Sequence, residues 1–355
     1  MLNLAIKSGI KNYQVNFIDN LKEQIIKLNQ KYTTHFLIDK NIWKIFKKEL
    51  TIKKNIGSIL LFDAREKNKT LKEVHKYVEF LLEKKVQKKH KIIVIGGGLV
   101  QDIGSFTAHI IKRGIDWVFI PTTLLSMSDS CIGGKSGINV GKHKNQVGTF
   151  HPPIEIYIYS NFIKTLPPEE LINGIGEIIK HALIKGGLFF NRLKTDLIKI
   201  QKNSIIAQEI IYQSLLIKKE IVEEDELDTG IRKLLNYGHT FGHALEGDTK
   251  NKIPHGLGVL IGIDMANFIS MKRRMLSQLH FEDIHKFIKN YIPVKKIGIS
   301  DFDSYMTFLS KDKKVVGKDV YAILSSGIGK IKVVPVHLDE KLKQEIKNYC
   351  SYFES

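Results

Sequence analysis

Short apolar runs alternate with amphipathic stretches through the first half of the chain. HFLID (35–39), SILLF (58–62), KIIVI (91–95) and WVFI (117–120) are compact, strand-length and without polar alternation. That pattern predicts strands buried on both faces. Between the second and third, Leu71, Val74, Val78, Leu81 and Leu82 recur at helical spacing, which predicts a helix over 70–85. Strand–helix–strand alternation implies an open α/β sheet, with the first residues adding an edge hairpin. After TLPPEE (165–170) the texture changes: Pro167 and Pro168 break the chain, and Glu169 and Glu170 suit a first helical turn. Helical periodicity then covers 169–185, 204–224, 233–247 and 256–276, and VYAIL (320–324) with KIKVVPV (330–336) reads as a late hairpin. The expected division is an α/β domain at 1–160 and a mainly helical domain at 161–355.

A chain of 355 residues suits two domains. The formal net charge of +18 invites a nucleic-acid reading. Only six of the 55 basic residues are Arg, however, and the Lys residues are dispersed among Ile and Asn. Solvated lysine faces account for that pattern, so no nucleic-acid partner is expected, while a basic site for an anionic substrate remains compatible. Cys131 and Cys350 are too few for a disulfide framework, which points to a reducing, cytoplasmic setting. The first residues lack the apolar run of a signal peptide, and no stretch has the length of a membrane span.

Candidate chemistry lies in a few segments. KIIVIGGGLVQDIGSF (91–106) reads as a strand, a glycine turn and a helix start, where Gly96, Gly97 and Gly98 let backbone amides approach a pyrophosphate. A tight structural turn explains the glycines equally well, and Asp102 suits either a cofactor contact or a helix cap. PTTLLSMSDSCIGGKSGINVGKHKNQVGTFHPP (121–153) is rich in Gly, hydroxyls and amides, with Lys135 and Lys144–Asn145 suited to phosphate. In GIGEIIKHALI (174–184), Glu177, Lys180 and His181 share one helical face. GHTFGH places His239 and His243 one turn apart, and His255 follows in IPHGLGV. Glu177, His239, His243 and His255 are thus four candidates for three ligand positions around a divalent ion with open coordination.

These words together resemble the 3-dehydroquinate synthase family of the sugar-phosphate cyclase group. The resemblance runs from about 35 to 330 and is carried by GGGLVQDIGSF, RG (113–114), PTTLLSMSDSCIGGKSGIN, KNQVGTFHPP, TLPPEELINGIGEIIKHALI, DELDTGIRKLLNYGHTFGHALE and HG (255–256). It implies an N-terminal Rossmann-like nucleotide-binding domain followed by a mainly helical metal- and substrate-binding domain. It further implies zinc (or cobalt) held by Glu177, His239 and His255, with His243 as an acid/base or phosphate-contacting residue. NAD is then expected along Asp39, Asn41, Glu66, Lys69, Gly97, Gly98, Asp102, Thr122, Thr123, Lys144, Phe162 and Thr165. Arg113, Asp129, Lys135, Asn145 and Lys314 are expected to bind substrate, and Lys180, Lys218, Arg232, Asn236 and Asp228 join His243 as catalytic candidates. The implied substrate is a small phosphorylated sugar acid, 3-deoxy-D-arabino-heptulosonate 7-phosphate. It is converted to 3-dehydroquinate by transient oxidation, phosphate elimination, re-reduction and aldol cyclisation in the shikimate pathway. A homodimer is implied as well.

Arg232 separates this reading from its neighbours, because a guanidinium grips a carboxylate and related cyclases act on carboxylate-free phosphates. Four departures from the family pattern leave a 2-deoxy-scyllo-inosose synthase-like cyclase or a metal-dependent polyol dehydrogenase as alternatives. Gln101 and Ser105 replace glycines and are expected to crowd the dinucleotide turn. Asp228 replaces a common Glu, and Leu257 removes a charge beside His255.

Overall fold

The computed structural model describes residues 2–50, 52, 57–141, 143–250, 252–299, 301–312 and 314–354. They group into two compact units: residues up to Leu166 with Gln201–Leu227, and Pro167–Ile200 with the residues from Asp228 onward.

The first unit opens with an antiparallel hairpin, β1 (Asn3–Ile6) and β2 (Tyr13–Phe17). It continues through α1 (Leu21–Lys31), β3 (Thr34–Asp39), α2 (Lys40–Phe46), β4 (Ser58–Phe62) and α3 (Leu71–Glu83). Next come β5 (Lys91–Gly96), α4 (Gly98–Ile110), β6 (Trp117–Pro121), a small hairpin of β7 (Ile138–Val140) and β8 (His143–Val147), and β9 (Glu155–Ile158). The main sheet has the order β1-β2-β9-β6-β5-β3-β4, parallel except for its edge hairpin. Phe36–Ile38, Ile92–Ile95 and Val118–Ile120 are fully buried, as unalternated apolar strands covered on both faces must be. The four strands and the helix expected here are all present, with Thr70 capping α3 by accepting from Glu73 N.

α5 (Pro168–Lys185) and α6 (Gly187–Asp196) belong to the second unit, whereas α7 (Ser204–Glu224) belongs to the first. Sequence texture had grouped α7 with the helical half; Ser214 and Lys218 instead donate to Ser128 and Asp129 of the first unit.

The second unit adds α8 (His239–Asp248), α9 (His255–Lys272), α10 (Gln278–Lys289) and α11 (Phe302–Ser310). A three-stranded antiparallel sheet of β10 (Val315–Val316), β11 (Asp319–Gly327) and β12 (Lys330–His337) and a last helix, α12 (Glu340–Glu354), follow. α9 is buried all round from Gly256 to Ser270, which makes it the axis of this unit. The single helix expected over 233–247 is instead a 3₁₀ turn, Ile231–Asn236, followed by α8. Gly238 at φ +80° separates them, and a Cβ there would lie 2.6 Å from Val259 O.

At the amino end of the sheet, His35 is buried, with Nδ1 2.8 Å from Ser58 Oγ and Nε2 2.9 Å from His90 Nδ1. Because Gln87 N donates to His90 Nδ1, that nitrogen accepts, so His35 Nε2 donates and His35 Nδ1 accepts from Ser58. Burial, then the charge of His90, lowers His35 to about 4. The fold therefore favours the neutral ring: its contribution is complete above the ordinary imidazole value and is lost as pH falls toward 4. The thermal midpoint should drop more steeply between pH 6.5 and 4 in the wild-type chain than in a His35→Gln variant; parallel profiles would remove His35 as the cause.

Candidate active site

Three helix positions of the second unit converge. Glu177 lies within α5, while His239 and His255 are the first residues of α8 and α9. Glycines let these helices meet backbone to backbone: a Cβ on Gly176 would lie 2.5 Å from Gly256 O, and one on Gly242 2.6 Å from Gly258 O. Glu177 Oε1 consequently stands 3.6 Å from His239 Nε2 and 3.5 Å from His255 Nε2. A tetrahedral ion with bonds of about 2.1 Å separates its donors by roughly 3.4 Å, so this spacing suits coordination. Ring nitrogens of His239, His243 and His255 also lie within 4.8 Å of one another.

The outward nitrogens fix the tautomers. His239 Nδ1 faces Tyr237 O at 3.2 Å, and His255 Nδ1 faces Glu246 Oε1 at 2.8 Å. Both partners only accept, so both Nδ1 atoms carry hydrogen, and it is the Nε2 atoms that face Glu177. Lys180, itself buried, holds Glu177 Oε2. Burial pushes His239 well below the usual imidazole range, with Glu177 opposing. For His255 desolvation acts downward as well, but hydrogen bonds to Glu177 and Glu246 raise it to about 10. A carboxylate oxygen and two imidazole nitrogens at this spacing are a donor set that fits a divalent cation.

His243 follows His239 by one turn, its ring 5.2 Å from that of His239 and 5.8 Å from that of His255. The charges of Lys314 and Asp312 reach it, and Lys314 is held by Asp312 at 2.8 Å. Arg232 is 4% exposed in the 3₁₀ turn, and Asn236 closes the same turn by donating to Lys233 O. Asp228 adopts φ +62°, a left-handed conformation that a short Asp tolerates better than a Glu, which gives this departure a backbone reason.

In the first unit, residues expected to meet NAD follow the carboxyl ends of parallel strands: Asp39 ends β3, Glu66 comes after β4, Gly97 after β5 and Thr122 after β6. This is where open α/β sheets bind ligands. Gly98 begins α4, whose N-terminus has no side-chain cap, and a Cβ on Gly98 would meet only Ser130 Oγ, at 4.0 Å. Thr122 is buried, and its hydroxyl has no hydrogen-bond partner among the described residues. An open glycine turn at a helix start beside such a hydroxyl fits a dinucleotide. Asp39 Oδ1 accepts from Asn41 N, Thr123 Oγ1 meets Ser126, and Lys144 is exposed. Lys69 is buried, donating to Asp102 Oδ2 at 3.0 Å and to Asn145 Oδ1 at 2.7 Å. Burial raises Asp102, with Lys69 pulling the other way.

Phe162 is a core side chain packed edge-on against Phe46 and Tyr159, with Thr165 donating to its carbonyl. Arg113 follows the far end of α4, and a 13-residue helix spans about 20 Å, so the glycine turn lies well away from it. Lys112, Arg113 and Gly114 are consecutive left-handed residues whose carbonyls Lys88 gathers. Asn145, expected to bind substrate, sits in the Lys69–Asp102 cluster. Asp129 Oδ1 is 3.0 Å from Lys218 Nζ, and the Lys135 ammonium lies over the Phe150 ring.

The expected crowding by Gln101 and Ser105 does not occur. The Gln101 carboxamide is engaged by Ser130, and Ser105 bonds back to Asp102 O. Leu257 is buried in α9, and the carboxylate beside His255 comes from Glu246. Sequence reasoning missed Glu246, although its position three residues after His243 placed it on the histidine face of α8. It also missed Asn139, whose amide joins Glu66 Oε1 to Asn145 N.

Comparison with known proteins follows the same lines. Family models for the N-terminal and C-terminal parts of 3-dehydroquinate synthase match residues 59–173 and 174–315. A 3-dehydroquinate synthase of Pelagibacter ubique is 36% identical, covering 98% of this chain and 99% of that protein. A 2-deoxy-scyllo-inosose synthase crystallised with carbaglucose-6-phosphate, NAD+ and Co2+ superposes with a TM-score of 0.86 at 23% identity, covering 98% of this chain and 100% of its own. A 2-epi-5-epi-valiolone synthase of Streptomyces hygroscopicus with NAD+ and Zn2+ gives 0.85 at 22% identity over 98% and 99%. At those identities the two structures establish the fold, a parallel α/β unit and a helical unit of the dehydroquinate synthase type. The paired family models and the near full-length relative place the chain in the 3-dehydroquinate synthase family.

Proposed function

We propose that this enzyme converts 3-deoxy-D-arabino-heptulosonate 7-phosphate to 3-dehydroquinate and phosphate, a carbon–oxygen lyase reaction that uses NAD and a divalent cation. The observation that carries the reading is Glu177 Oε1 standing 3.5–3.6 Å from two imidazole nitrogens whose other nitrogens are already hydrogen-bonded. When bound, the dinucleotide supplies a reversible hydride acceptor and the cation a Lewis acid for the substrate's hydroxyls.

The chain's own residues divide the remaining work. Glu177, His239 and His255 hold the cation, and Glu246 and the Tyr237 carbonyl keep both rings turned toward it. His243 is the adjacent imidazole outside that set, suited to moving a proton at a substrate hydroxyl through a ring nitrogen. The Arg232 guanidinium, with Asn236, grips the substrate carboxylate, and Lys135 and Lys314 stabilise the departing phosphate. Asp39, the Gly97–Gly98 turn and Thr122 orient the dinucleotide. The substrate is a small phosphorylated sugar acid; no helix among the described residues is long and apolar enough to cross a membrane.

Phosphate release from the heptulosonate phosphate, with NAD and zinc or cobalt present and the product identified, is the direct test. Release from glucose 6-phosphate would favour an inosose-forming cyclase, and net NADH with a simple polyol would favour a dehydrogenase. Arg232→Ala should lower kcat/KM about a hundredfold, the worth of a charge-assisted bidentate contact, and an unchanged value would take the carboxylate away from Arg232. His239→Ala should abolish turnover and metal retention together, measured by elemental analysis after dialysis. Glu246→Gln should weaken metal affinity roughly 10–100-fold in chelator competition, because the amide no longer draws the His255 Nδ1 proton.

A further inference from the structure

The residue expected to obstruct the nucleotide turn does something else. Gln101 is 4% exposed on α4, three residues past Gly98. Its Nε2 donates to Ser130 O at 2.7 Å, while Ser130 Oγ donates to its Oε1 at 2.6 Å. Ser130 is the last residue of a π-helical turn, Ser126–Ser130, that contains Asp129.

A π turn leaves carbonyls outside the regular α-helical ladder, and here side chains take them. Cys131 N bonds to Ser126 O at 3.1 Å, five residues back, whereas Ser128 O and Asp129 O receive Ser214 and Lys218 of α7. Ser130 O receives Gln101. At its start, the turn is tied to Thr123, whose backbone N donates to Ser126 Oγ. The turn is therefore fastened behind by α7 and at both ends by residues of the glycine-turn region. Gln101 and Lys218 hold consecutive carbonyls, and Lys218 also pairs with the Asp129 carboxylate at 3.0 Å.

We propose that Gln101 is a positioning residue that ties the first turn of the nucleotide helix to the Asp129–Lys218 pair, setting where that pair meets the substrate. The proposal rests on reading Asp129 and Lys218 as substrate-contacting groups. A glycine at 101, the usual family residue, has no side chain to make this tie. In this chain, displacement of the α4 N-terminus is transmitted to Asp129 through two hydrogen bonds.

The test compares Gln101→Leu, Ser130→Ala, the double variant and Lys218→Met in the holoenzyme at saturating NAD and zinc. Steady-state rates on the heptulosonate phosphate give KM and kcat, calorimetry gives NAD affinity, and the thermal midpoint monitors the fold. Gln101→Leu should raise KM about tenfold, as the loss of two neutral hydrogen bonds allows, with kcat and NAD affinity held within about twofold. Ser130→Ala should raise KM about threefold, and the double variant should match Gln101→Leu alone, because one tie cannot be lost twice. An unchanged KM, additive effects, or a change confined to NAD affinity or thermal midpoint would overturn the proposal. Should Gln101→Leu fail to fold, an unchanged KM in Ser130→Ala overturns it equally. If Lys218→Met raises KM and Gln101→Leu does not, the tie alone is refuted; if neither does, the assignment of Asp129 and Lys218 to substrate falls with it.

Discussion

Everything in the second unit depends on one close approach, that of the α9 backbone to α5 and α8. Helices normally pack 8–10 Å apart because side chains intervene. Here Gly176 faces Gly256 and Gly242 faces Gly258, and an added methyl group would sit within 2.6 Å of a carbonyl oxygen. Only through that contact can a carboxylate from mid-α5 stand between imidazoles at the starts of α8 and α9. The arrangement concentrates cost as well, since Glu177 and Lys180 are both nearly inaccessible to water. Buried charges of this kind persist where they are paired or hold an ion. Glu177 gives one oxygen to Lys180 and turns the other toward the two rings.

The first unit solves a different problem with ordinary means. A parallel sheet ends in a row of loops at its carboxyl edge, and Asp39, Glu66, Gly97 and Thr122 occupy four of them. Polar groups there are joined among themselves, through Lys69, Asp102, Asn139 and Asn145. Thr122 is buried there, and its hydroxyl has no hydrogen-bond partner among the described residues.

How much of this was legible in the sequence followed from what each signal reports. Strands such as KIIVI were readable because burial on both faces leaves no polar alternation. The Glu177–His239–His255 group was readable because ligand residue types stood out against Gly and apolar neighbours. Gly238 was not recognised as a helix break, since a glycine inside a periodic stretch does not announce a left-handed φ. α7 carries no local sign of which core it joins; its place depends on Ser214 and Lys218 finding carbonyls 86 and 89 residues away. Gln101 was read as an obstruction because its partner, Ser130, comes from a π turn that composition does not reveal. Phe162 follows from the resemblance alone, and its ring packs against Phe46.

From Gly256 to Ser270, α9 has no wet side. His255 begins that helix, so any slip or roll of the rod is passed to an imidazole that faces Glu177. A helix without a solvent face offers no position where drift is free of consequence. Refitting this scaffold to another metal or sugar would have to begin in the segments that lead into α8 and α9, leaving the rod itself untouched.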